Sequence, residues 1–228
     1  MLDIAWLCAL AIRSVYWLVL LACNFLGYST IWARREIKQR ERDEDARRSL
    51  KTPAHVAVLI NGQPVDKVGL MSLMEVCLGA NIRRLSVYDA MTDYSYLSDE
   101  LRIFCKNKRI KIITNCDSSS FETSSYRLVV QLLSVDSGRS VLVKTCRDLS
   151  SSSTPITVAD VSHHLATKYS LSEPELLIQV GNIPSLSGYP PWCLRATEIV
   201  PVRSLPTTRF AFDECLEAYS KRDIRLGK

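Results

Sequence analysis

The stretch HVAVLINGQP, residues 55–64, decides the fold. His55 to Ile60 form a short apolar run that ends at Asn61-Gly62, a turn signal, and such a run predicts a strand. Leu70, Leu73, Met74, Cys77 and Leu78 then recur at helical spacing until Gly79 stops them. The same alternation continues down the chain. IRRLSVYDA holds the next strand, SDELRIFCKNK a helix with Ser98 as its cap, RIKIITN a strand and RLVVQLLS another. A helix with Leu142, Cys146 and Leu149 on one face follows, then the linker SSSSTP, the helix TVADVSHHLATKYS and the strand ELLIQV. TEIVPV reads as a short strand ended or edged by Pro201, and Phe212, Cys215, Leu216 and Tyr219 mark a closing helix. Strand and helix in alternation predict an α/β fold, a mainly parallel sheet flanked by helices and joined by right-handed crossovers. Ligands of such sheets sit at the carboxyl ends of the strands. The loops of interest are therefore 61–64, 134–139 and 181–189.

Upstream of the body the composition changes. Mean hydropathy is +0.03, high for a chain with no membrane-bound part. SVYWLVLLACNFLGYSTIWA, Ser14 to Ala33, carries no charge over 20 residues, about 30 Å of helix. Trp6, Trp17, Tyr28 and Trp32 suit membrane interfaces. A cleaved signal peptide fits less well, because the apolar run is long and no small-residue site separates it from the basic run that follows. Residues 1–33 are expected to be a transmembrane anchor. Residues 34–51, with eight basic and five acidic side chains, read as a charged juxtamembrane spacer, and 52–228 as the folded body. Arg34, Arg35, Lys38 and Arg40 place that body on the cytosolic side. The formal charge of +5 is concentrated upstream, and the body has no electrostatic footprint for nucleic acid. None of the eight cysteines forms a C-x-x-C pair. They read as small buried hydrophobes in a reducing compartment.

Few residues advertise chemistry. The chain has no P-loop, no G-x-G-x-x-G, no G-x-S-x-G and no metal-spaced cluster of His and Cys. His163 and His164 are adjacent on a helix and point about 100° apart, which prevents joint chelation of one metal. Asp89 and Asp93 read as solvated residues. SVDSGR lies between a strand and a helix. There Gly138 would admit close backbone approach, the helix N-terminus would offer N–H groups and Arg139 a planar cation, a combination that suits a phosphate. An ordinary loop with an exposed arginine fits the same residues equally well.

In this order HVAVLINGQP, LGANIRRLSVYDA, SGR, ELLIQVGNIPSLSGYPPW and the terminal RLGK resemble the cis-prenyltransferases. More closely, they resemble the Nogo-B receptor type of accessory subunit of dehydrodolichyl diphosphate synthase. The resemblance spans His55 to Lys228 and implies an undecaprenyl diphosphate synthase-like fold. Catalytic members carry Asp-Gly-Asn-Arg after the first strand, where the Asp positions Mg²⁺ and the Arg grips phosphate. Here that place reads Asn61-Gly62-Gln63-Pro64. Catalytic members also carry Arg-Thr-Ser-Gly-Glu-x-Arg-Leu-Ser after a late strand. Here Gln179 and Ser185 stand at the two arginines, whereas Leu186, Ser187 and Trp192 persist.

The resemblance implies a subunit with no catalytic residues of its own, no bound metal and no activity alone. It implies a partner, the catalytic cis-prenyltransferase subunit, that uses Mg²⁺ to condense isopentenyl diphosphate onto farnesyl diphosphate. The product would be a long-chain dehydrodolichyl diphosphate for dolichol and protein glycosylation. It further implies that Arg225, Leu226 and Gly227 reach the partner's active site, and that the protein resides in the endoplasmic reticulum membrane. A different reading keeps the dead fold as a docking surface of a membrane receptor or scaffold. A homodimeric prenyltransferase with a drifted motif is disfavoured by the missing Asp and arginines.

Overall fold

Six strands form one parallel sheet in the order β3-β4-β2-β1-β5-β6. They are β1 (His55–Ile60), β2 (Arg84–Asp89), β3 (Ile110–Thr114), β4 (Leu128–Leu133), β5 (Leu176–Val180) and β6 (Glu198–Val202). Every residue of β1, β4 and β5 is buried. Strands covered on both faces have no polar side to alternate with, so they read as continuous apolar runs. Between them lie α1 (Lys67–Gly79), α2 (Asp99–Lys108), α3 (Arg139–Ser150), α4 (Val158–Tyr169) and α5 (Arg209–Ser220). The computed structural model describes residues 12–19, 21–22, 50–62, 66–90, 99–114, 125–151 and 155–221. It divides into two units, Met1–Leu50 and Lys51–Lys228, the second of which holds the sheet.

Helices α3 and α4 cover the face bearing Ala57, Leu59, Tyr88, Leu133 and Leu177, and contribute Val141, Leu165 and Tyr169 to that core. Helix α1 packs against both α2 and α5. Among them α1 buries Leu70, Leu73, Met74 and Cys77, and α5 buries Phe212, Cys215 and Leu216. The caps are local and legible. Asp66 accepts from Gly69 N at the start of α1, and Thr157 with Asp160 closes a capping box on α4. Thr208 accepts from Ala211 N at the start of α5. Pro201 lies in the outermost strand, where a missing N–H costs no ladder bond.

The structure corrects several expectations. Among the described residues no helix is long and apolar enough to cross a membrane. The helical run 12–19 rises about 12 Å, against the ~30 Å of a hydrocarbon core. The transmembrane helix expected over Ser14–Ala33 is therefore withdrawn, and with it the anchor over residues 1–33 and the placement in the endoplasmic reticulum membrane. Residues 23–33, part of that stretch, lie outside the described residues. On α3 the buried positions are Val141 and Thr145, whereas Cys146 is exposed. The other described cysteines, Cys77, Cys105, Cys193 and Cys215, are buried and free, and burial pushes the last three up to about 11. Asp89 is buried at the end of β2 rather than solvated, and Asp93 and Ser98 lie outside the described residues.

A buried polar network occupies the amino ends of the central strands. In register His55 lies beside Arg84, and Arg84 beside Val129. His55 Nε2 lies 2.8 Å from Ser86 Oγ and its Nδ1 lies 3.2 Å from Ser172 Oγ. Arg84 donates to Gln131 Oε1 at 3.3 Å and to the Ser170 carbonyl, while Gln131 donates to Tyr169 O at 3.1 Å. Burial, reinforced by the neighbouring Arg84 charge, lowers His55 to about 3. The imidazole is thus neutral.

Candidate functional site

The chain winds outward from β1 through β2 on one side and returns through β5 and β6 on the other. The order therefore reverses between β1 and β5, and the crevice at their carboxyl ends is where ligands of open α/β sheets bind. Asn61 follows β1 there and Gly181 follows β5. The two strands stay joined past their ends, since Asn61 N donates to Val180 O at 2.8 Å. A Cβ on Gly181 would lie 1.8 Å from the Asn61 carbonyl oxygen, and its φ is +117°. Only glycine fits.

Loop 182–188 folds onto one side of the crevice. Asn61 is 6 % exposed and Gln179 9 %. Asn61 Nδ2 donates to Ile183 O at 3.1 Å and to Ser185 O at 2.5 Å. Gln179 Nε2 donates to the same Ser185 carbonyl at 2.9 Å. Ser187 Oγ donates to Asn61 Oδ1 at 2.5 Å, and Tyr88 OH to Ser187 O at 2.7 Å. Ser187 N donates to Ser185 Oγ at 3.1 Å, with Ser187 at φ +45°. Two amides and a phenol thereby fold loop 182–188 down onto the strand ends. Burial raises the Tyr88 pKa, and the neighbouring Asp89 raises it further, so the phenol stays a donor.

Of the three loops singled out in the sequence, parts of all three meet here, except that Gln63 and Pro64 lie outside the described residues. Gly138 is buried, and its close neighbour is protein: a Cβ there would lie 2.3 Å from the Gly188 carbonyl oxygen. Arg139 begins α3 and is exposed. Arg225, Leu226 and Gly227 lie outside the described residues. His164 pairs with Asp148 at 3.2 Å on the α3–α4 surface, away from the crevice.

Sequence reading missed two contributors. Tyr88 looked like one more apolar residue of β2, and its hydroxyl role appears only once Ser187 is folded onto it. Arg203 follows β6 and, with Asn61, Asp66, Asn182 and Thr207, lines a cavity of about 740 Å³ at the carboxyl ends of β1 and β5, the open part of the crevice. The N-terminus of α1 opens on this cavity already capped, because Asp66 Oδ1 accepts from Gly69 N at 2.8 Å. An arriving phosphate would meet that carboxylate instead of a free N–H.

A divalent cation does not fit these residues. Among the described residues no three His, Cys, Asp or Glu side chains are grouped to hold one. Asn61 is neutral, and its one side-chain oxygen already accepts from Ser187.

No protein-family model matches the chain. It is 28% identical over 239 residues to the dehydrodolichyl diphosphate synthase complex subunit nus1 of Schizosaccharomyces pombe, a match covering 93% of this chain and 89% of that one. It is 26% identical to the mouse subunit Nus1, over 81% of this chain and 69% of the relative. It is 27% identical to the human subunit NUS1, over 81% and 70%. In fold it is similar to a probable undecaprenyl diphosphate synthase from Campylobacter jejuni, with TM-score 0.57 and 19% identity over 76% of this chain and 98% of that one. It is also similar to lavandulyl diphosphate synthase from Lavandula x intermedia, with TM-score 0.58 and 18% identity over 78% and 99%. Sequence likeness to three complex subunits and fold likeness to two diphosphate synthases agree with the motifs around Asn61 and Gln179: the chain is similar in sequence to the dehydrodolichyl diphosphate synthase complex subunits and shares the fold of the diphosphate synthases.

Proposed function

We propose that this chain is the non-catalytic subunit of a heteromeric cis-prenyltransferase. Its partner, a catalytic homologue, binds Mg²⁺ and condenses isopentenyl diphosphate onto farnesyl diphosphate to give dehydrodolichyl diphosphate. One observation carries the reading. The amides of Asn61 and Gln179 hold the Ser185 carbonyl in the crevice where a diphosphate synthase needs a carboxylate and arginines. Ionising an allylic diphosphate requires positive charge to stabilise the departing diphosphate. Buried neutral amides committed to a loop supply none. The test is prenyl transfer with farnesyl and isopentenyl diphosphate and Mg²⁺. The chain alone gives no elongation, and co-expression with a catalytic cis-prenyltransferase raises the partner's turnover. Elongation by the lone chain overturns the proposal, and so does a partner indifferent to it.

The segment Arg225-Leu226-Gly227 is proposed to act in the partner's site. There Gly227 N–H would meet a diphosphate oxygen, Arg225 would orient the segment and Leu226 would pack between subunits. The likeness of the terminal RLGK to the ends of the family's accessory subunits supports this reading.

A further inference from the structure

Three segments meet at the amino edge of the sheet, on the side opposite the crevice. Glu175, just before β5, takes Ala54 N on its two carboxylate oxygens, each at 3.2 Å. The hydroxyl of Tyr219, in the last turn of α5, donates to Glu175 Oε2 at 3.3 Å. The next residue, Ser220, accepts from Lys51 N at 2.9 Å and donates back to Lys51 O at 3.5 Å. Backbone bonds set the frame: Glu175 N donates to His55 O at 3.0 Å, and Glu198 N to Glu175 O at 3.0 Å. Nothing in the core requires these polar ties, since Phe212, Cys215 and Leu216 already seat α5 one turn earlier.

The carbonyls in the last turn of a helix lack intrahelical N–H donors, and the turn frays unless something holds it. Here the holding groups act on the residues from which segment 222–228 departs. We propose that Tyr219, Ser220 and Glu175 are positioning residues: they fix the last turn of α5, the root from which residues 222–228 continue. The inference rests on the proposed role of that segment. A segment of seven residues loses effective concentration at a distant site when its root can unwind, because each freed residue adds conformations to be lost on docking. A rooted one arrives with that entropy already removed. The Tyr219 phenol is also kept protonated, because burial and the Glu175 carboxylate both raise its pKa.

The experiment is a cycle in the reconstituted complex of the full chain with a catalytic cis-prenyltransferase. Tyr219→Phe combined with Ser220→Ala removes the ties and keeps the ring packing. Each variant is compared in the chain with residues 222–228 present and with those residues deleted. With the segment present, the double variant lowers turnover roughly 10-fold, while subunit association and melting temperature stay near wild type. With the segment deleted, the same two substitutions have no further effect, which a merely structural role would not produce. Glu175→Gln, which retains an acceptor for both partners, recovers most of the activity of the full-length chain. An equal loss in both backgrounds overturns the proposal, and so does no loss when the segment is present. If deleting 222–228 is itself harmless, the role proposed for that segment fails as well, and the two failures are thereby told apart.

Discussion

Asn61 shows how one atom changes what a site can do. An aspartate there would present a second oxygen to the Ile183 and Ser185 carbonyls, where the amide now presents a donor. Asn61→Asp therefore loses two donated hydrogen bonds and adds a buried charge facing lone pairs. We expect a loss of about 2–4 kcal/mol and a fall in melting temperature of roughly 5–12 °C, read by calorimetry at pH 7. No gain of prenyl transfer accompanies it. His55 supplies a pH dependence. Its folded value near 3 lies below the ordinary 6.5, so between those limits the unfolded chain binds a proton that the folded chain refuses. The contribution is intact above pH 6.5 and is lost as pH falls toward 3, by up to about 1.4 kcal/mol per unit. Urea titrations at pH 7, 6, 5 and 4 should show this slope in the wild type. It should be shallower by about one proton in His55→Gln. Equal slopes would mean that His55 charges freely in the folded chain.

At the scale of elements, the contact of α3 with loop 182–188 runs through two glycines. Gly138→Ala would set a Cβ 2.3 Å from the Gly188 carbonyl, and backbone must move to relieve it. The expected cost is about 1–3 kcal/mol, with faster amide exchange at 185–188. Unchanged exchange there would show that loop and helix are not coupled. Elements are also where the sequence was most legible. The central strands β1, β4 and β5 are mainly apolar runs, because a parallel sheet covered on both faces leaves that mark. The face of α3 was misjudged because Cys146 is the more apolar residue and Thr145 the more buried one. Thr145 occupies the stripe that α3 turns to the sheet, and among the described residues its hydroxyl has no hydrogen-bond partner. Periodicity locates a helix better than it locates the helix's inner face when small polar and small apolar residues adjoin. The crevice was half legible. Missing charges at Asn61 and Gln179 are visible in the letters. That both amides converge on a single carbonyl 124 and six residues away is a property of the folded loop.

For the whole molecule the sharpest expectation concerns the assembled pair of subunits. Gly227→Ala and Arg225→His should each lower turnover of the complex, by roughly 10- to 150-fold if one charge-assisted hydrogen bond to substrate is lost. Co-purification with the partner should be unchanged. Wild-type kinetics in both variants would leave the segment without a catalytic part. The shared oxygen also couples two distant positions. Because Asn61 and Gln179 donate to the same Ser185 carbonyl, a carboxylate at the first would face that oxygen with like charge, and loss of either amide leaves the carbonyl one donor short. A charged grip rebuilt at one position therefore changes what the loop asks of the other, and the two amides answer to substitution as a pair.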